Sequence, residues 1–107
     1  LTIPEDKFID TPEFQHLLTY KKLTPLLLKK IRKKEQIEES VLKTYQASNP
    51  SLYYVYEVIG DYYEAMQQSK QAIAYWQQAL KKSIPKLQEK ERIQQKIQKQ
   101  SKDGKES

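Results

Sequence analysis

The chain has 107 residues, 37% of them hydrophobic and 31% charged, with no cysteine and a formal net charge of +5. That length holds about one domain, and the missing cysteines exclude a disulfide framework, a thiolate nucleophile and a cysteine-ligated zinc site. The longest purely apolar run, Leu26 to Leu28, is far short of the ~20 residues a membrane helix needs.

Residues 1–10, with Pro4 and no helical period, read as an extended lead-in. The opening on Leu1, without a signal pattern, reads as a piece of a longer protein. A helix is expected over about 12–22: Asp10 or Thr11 can cap it, Pro12 suits the first helical position, and Glu13 complements the helix dipole. Pro25 disfavours its continuation and starts a second helix, about 25–47, carried by Leu27, Ile31, Ile37, Val41 and Tyr45. Within it "KKIRKK" at 29–34 is followed at once by "EQIEES". Those glutamates are expected to pair with the cations along the helix, leaving a solvated face. "SNPS" at 48–51 ends the helix, and Ser51 can cap the next one.

From Tyr53 onward the apolar positions predict two helices, about 52–67 and 70–83, that bury their stripes against each other as a hairpin. Gly60, one of two glycines in the chain, stands in the middle of the first. It costs ~1 kcal/mol there, and close approach to the small Ala72 and Ala79 is expected to offset that cost. A sparse stripe of Leu87, Ile93 and Ile97 marks a last helix, about 86–100, and 101–107 reads as a frayed tail.

Tyr56, Ile59, Gly60, Tyr63, Ala72, Trp76, Ala79 and Pro85 follow the offsets W-x2-L-G-x2-Y…A-x3-F…P. This stretch resembles the tetratricopeptide repeat, whose unit is about 34 residues. Tyr56 stands for the tryptophan, Ile59 for the leucine and Trp76 for the phenylalanine, and the last proline falls one position late. The resemblance covers 53–85 strongly, 36–52 and 86–100 weakly, and the first 35 residues hardly at all. It implies an all-α fold: a short antiparallel helix array, or α-α superhelix, over a domain of residues 11–100, closed by a C-terminal capping helix.

His16 is the only histidine, read as a surface or half-buried helix residue, and no serine lies in a nucleophile-elbow context. No catalytic, cofactor-binding or metal-ligating residue is therefore expected, and a stand-alone enzyme is disfavoured. In the repeat family the first helix of each pair lines a concave surface. The resemblance carries this onto Tyr54, Glu57, Asp61 and Glu64 as ligand-facing residues, an acidic patch suited to a basic or amphipathic segment and repellent to a peptide carboxylate. Tyr53, Tyr54 and Tyr62 are left over as candidate interface tyrosines.

The expected function is a scaffold that docks a protein, a peptide or another domain of its own chain. The lead-in resembles a junction of the kind that joins degenerate repeat arrays to larger bacterial enzymes. Because about three repeats usually make a stable stack, a homodimer that completes the stack between chains is the alternative. Nucleic-acid binding through the Lys-rich helices is opposed by the acidic groove, and no membrane segment is expected.

Overall fold

A computed structural model describes residues 12–106. Five α-helices follow in order: α1 Pro12–Arg32, α2 Glu39–Ser48, α3 Tyr53–Ala65, α4 Ser69–Leu80 and α5 Leu87–Glu106. Among the described residues there is no strand, and the fold is an all-α helical array. The lead-in of residues 1–10, and both candidate caps of the first helix, lie outside the described residues.

The hairpin of α3 and α4 is the centre of the array. Lys82 lies over the Tyr56 ring at 5.0 Å, Trp76 meets Gly60, and Tyr75 stacks on Tyr63 at 5.5 Å. Partner numbers fall as α3 advances, so the two helices are antiparallel. The turn between them closes by two bonds, Gln67 N–H to the Glu64 carbonyl at 2.9 Å and Gln68 N–H to the Tyr63 carbonyl at 2.8 Å. This is a Schellman closure, and it places Gln67 at φ 62.

Gly60 is required by an aromatic ring, not only by small neighbours. A Cβ there would collide with Cδ1 and Nε1 of Trp76 and come to 3.1 Å from the Ala72 carbonyl oxygen. Trp76, Ala72 and Ala79 are all fully buried. The expected close approach at Ala72 is present, but the indole is what fills the space.

Three of the expected helices, about 12–22, 25–47 and 86–100, have other bounds in the structure. The first helix runs through Pro25 to Arg32 instead of stopping near residue 22. Proline leaves the Lys21 carbonyl without its helical donor, yet both residues are exposed, so water can serve that oxygen. Leu27, two residues beyond the proline, is 1% exposed, and its burial favours continuing the helix. The break comes instead at 33–38, where Lys34 takes φ 56. Lys34 N–H bonds the Ile31 carbonyl at 3.0 Å and Glu35 N–H bonds the Lys30 carbonyl at 2.9 Å, a second Schellman closure. The last helix also extends to Glu106, well past the expected end at 100.

Tyrosines fasten the connections. The Tyr62 hydroxyl accepts from Ile37 N–H at 3.1 Å and donates to its carbonyl at 3.3 Å, so the segment between α1 and α2 is latched to α3. The Tyr56 hydroxyl donates to the Pro50 carbonyl at 2.8 Å. Tyr20 and Tyr45 stack at 5.7 Å between α1 and α2. Tyr53 and Tyr62, two of the three candidate interface tyrosines, are buried core residues, whereas Tyr63 is only half-buried. Ser51 does not cap α3: Leu52 holds the cap position with no side-chain bond.

Gly60→Ala is expected to destabilise the fold by about 1–3 kcal/mol through overpacking, despite the ~1 kcal/mol gained in helix propensity. Gln67→Gly, in the turn that closes the same helix, should have the opposite sign and stabilise by about 0.5–1 kcal/mol, since glycine takes the left-handed conformation without strain. Urea unfolding of the two variants checks both; a Gly60→Ala chain as stable as the parent sinks the steric account.

Candidate functional site

The four residues expected to face a ligand lie along α3 at helical spacing, with Tyr54 half-buried at one side of the row. Three of them meet α5. Glu57 is 2% exposed and is clamped by Arg92, whose Nε and Nη2 donate to its two oxygens at 2.8 and 2.7 Å. Lys96 Nζ donates to Glu57 Oε2 at 2.7 Å and to Asp61 Oδ1 at 2.9 Å. Gln100 donates to Glu64 at 2.9 Å and accepts from Ser69 at the start of α4 at 2.9 Å. At the other end Tyr53 donates its hydroxyl to Glu89. The open acidic patch expected from the sequence is thus closed over by the chain's own basic helix.

The register of this closure is regular. Tyr53–Glu89 and Glu64–Gln100 are each separated by 36 residues, and Glu57–Arg92 and Asp61–Lys96 by 35. Partner numbers rise together, so α5 runs parallel to α3. The amphipathic pattern of α5 explains the fit: Arg92, Lys96 and Gln100 repeat every four residues beside the buried Ile93 and the half-buried Ile97. Its other face, including Gln94, Gln95 and Gln98, is exposed and polar, as a capping helix requires.

Burial and charge compete at each carboxylate. Burial pushes the Glu57 carboxyl up, but the hydrogen bonds and charges of Arg92 and Lys96 outweigh it and hold it below its usual 4.5. At Asp61 burial wins: with the Glu57 charge one turn away, it keeps the carboxyl above its usual 3.8 in spite of Lys96 and the Trp76 N–H. Burial pulls the Lys96 ammonium down, yet contacts with Glu57 and Asp61 raise it above 10.5. Trp76 Nε1 donates to Asp61 Oδ1 at 3.1 Å and to the Glu57 carbonyl at 3.3 Å. Among the described residues no buried side-chain polar atom lacks a partner.

What stays open is a groove of about 550 Å³ beyond the last ion pair, where the end of α1, the end of α3 and the middle of α5 converge. Ile31 and Lys34 form one wall, Asp61, Glu64 and Gln67 the floor, and Lys96 and Lys99 the other wall. Its charge is mixed, and its apolar lining is thin. Of the family-type motif residues, Tyr56, Ile59, Gly60, Ala72, Trp76 and Ala79 are buried structural positions and Pro85 is exposed in the turn before α5.

His16 is exposed on α1. Among the described residues no His, Asp and Glu group is arranged to hold a metal ion, and no helix is long and apolar enough to cross a membrane. Compared with protein families, with curated proteins and with solved structures, the chain finds no match.

The sequence reading did not anticipate Arg92, Lys96 and Gln100. Their spacing of four was visible, as was the complementary Glu57, Asp61, Glu64 row; only the offset between the two rows was needed to join them. A second expectation fails at the other end of the molecule. The glutamates of "EQIEES" do not neutralise the cations of 29–34, because the helix ends at Arg32 and the chain turns before Glu35. Glu39 pairs with Lys43 on α2 instead, at 3.4 Å.

Glu57→Gln is expected to cost on the order of 2–3 kcal/mol, below the usual penalty for breaking a buried pair because Arg92 and Lys96 can turn to water. The pH dependence follows from the sign of the shift. A carboxyl whose folded pKa is depressed adds stability above its unfolded value of 4.5 and loses it as pH falls through the lower folded value. The gap in Tm between parent and Glu57→Gln should therefore be full at neutral pH and shrink in acid. Asp61→Asn should show the reverse trend, its raised pKa making the charged form the costly one. Thermal melts from pH 7 to about pH 3 measure both; a Glu57→Gln gap that widens in acid, or an Asp61→Asn gap that shrinks, contradicts the assignment.

Proposed function

We propose that the chain is an interaction scaffold of tetratricopeptide type, which docks a protein segment, or another domain of its own chain, along the concave side where α1, α3 and α5 converge. The observation that carries this reading is the parallel register of α3 and α5, offset by 35–36 residues at four successive contacts. That offset is close to the family's repeat of about 34 residues, and it puts α5 where the first helix of a following unit would lie. Tyr20 and Tyr54, one on α1 and one on α3, both pack half-buried against the core, and they too are spaced at nearly the same interval. The Gly60–Trp76 contact, in the motif positions, supports the same reading.

Such a stack places equivalent helices side by side and leaves their common face as a groove. In this chain the acidic row of α3 is engaged by α5, so a ligand meets Lys34, Gln67 and Lys99 together with the flanks of Asp61 and Glu64. A segment bearing both signs of charge suits this lining better than a purely basic one.

Panning the full chain against a display library of random peptides tests the reading. Enriched peptides should lose binding with Lys99→Glu or Glu64→Lys, both exposed groove residues, and keep it with Gln94→Glu on the far face of α5. A library that returns no groove-dependent binder rejects the proposal.

A further inference from the structure

Among the described residues a run of cations without ion-pair partners lies along α1 and the turn that follows it. Seven lysines and arginines fall between residues 21 and 34, with no acidic residue among them. Among the described residues none of the seven makes an ion pair, and all are exposed. The sequence gives Lys21, Lys22, Lys29, Lys30 and Lys33 no acidic neighbour three or four residues on, and the break at 33–38 removes the two pairs, Arg32 with Glu35 and Lys34 with Glu38, that a continued α1 would have offered.

Beside the cations is an apolar groove of about 400 Å³ between α1 and the start of α2. Leu23, Leu26 and Leu27 line it from α1, and Ile37 and Val41 from the other side. Leu26 is 56% exposed at its edge. On the helix Leu26 stands in one row with Lys22, Lys29 and Lys33, while Lys30 lies on the groove wall itself; Glu38 is the one acidic lining residue, on the opposite wall.

We infer that this groove docks an acidic amphipathic helix of a partner protein, with bulky apolar side chains between Leu23, Leu26 and Val41 and carboxylates against Lys29, Lys30 and Lys33. Charge complementarity selects the sign of the ligand, and the apolar concavity selects its kind. A nucleic acid brings phosphates but no aliphatic side chains to fill the cleft, and a bilayer surface would touch Leu26 without entering between α1 and α2. Glu38 orients the ligand by repelling carboxylates from its own wall. The surface is separate from the concave groove, and it stands whether or not that groove binds a segment.

The test is fluorescence anisotropy of the full chain with a labelled peptide of leucine and glutamate, leucines at helical spacing, beside labelled oligothymidylate and phosphatidylserine vesicles at the same salt. The peptide should bind saturably, with affinity reduced at least about tenfold by Lys30→Glu and by Leu26→Ser. Both positions are exposed or at the groove rim, and circular dichroism checks that each variant keeps its helices. Oligothymidylate or vesicles binding as tightly as the peptide, with Leu26→Ser neutral, would reduce the face to a general polyanion surface and overturn the inference. So would self-association abolished by Leu26→Ser, which would assign the groove to a second copy. Peptides that bind the concave groove while the acidic probe stays unbound would remove this surface and leave the scaffold reading intact.

Discussion

Trp76 is the point at which three helices are fixed to one another. Its ring occupies the space left by Gly60 on α3, its N–H reaches the Glu57 carbonyl and Asp61, and the Lys96 ammonium of α5 sits 6.0 Å from the ring centre. One side chain thus sets the separation of α3 from α4 and the height at which α5 docks. Changing the size of either partner moves both interfaces, because a close-packed interior passes displacement on instead of absorbing it.

Around that point the packing of α5 is divided between two kinds of interaction. Ile93 and Ile97 supply apolar contact, and only Ile93 is fully buried. The ion pairs add direction more than energy. Removing charges from water costs several kcal/mol per ion, which their mutual attraction roughly returns, so an apolar α5 of similar shape would hold about as well. It could, however, slide by a turn. Glu57 with two cations, Asp61 sharing one of them, and Glu64 with Gln100 are satisfied together only in the observed parallel register. Their arrangement therefore selects one docking of a helix whose short apolar stripe would otherwise permit several.

The parts of this fold that were legible in the sequence are those set by sterics over short range. Gly60 in a helical pattern, the small residues opposite it and the hydrophobic period of α3 and α4 each point to the same hairpin. The break near residue 34 was not legible, since Lys34 and Gln67 are ordinary helix formers and neither is the glycine or asparagine that advertises a left-handed closure. Pro25 misled for the opposite reason: its cost is local, and the burial of Leu27 that overrides it is set by helices far along the chain. Tyr62 against Tyr63 is a difference of one position, a rotation of about 100° that a repeat pattern with large residues at both places cannot resolve. The acidic row of α3 was recognised, but not its occupant, because pairing between helices needs an offset that no single-helix pattern contains.

The break after Arg32 and the docking of α5 act together on the molecule's electrostatics. A net charge of +5, spread evenly, would be unremarkable for a helical domain. Once α5 takes up Glu57 and Asp61, and the turn after Arg32 removes Glu35, Glu38 and Glu39 from α1, the carboxylates that would have diluted the positive field are either internal or directed elsewhere. Neighbouring cations within 29–34 then lie within about one Debye length of each other at physiological salt and act as a group. The same local event, a Schellman closure at Lys34, thereby determines where α2 begins, which residue Tyr62 can latch, and which face of the molecule presents unopposed charge.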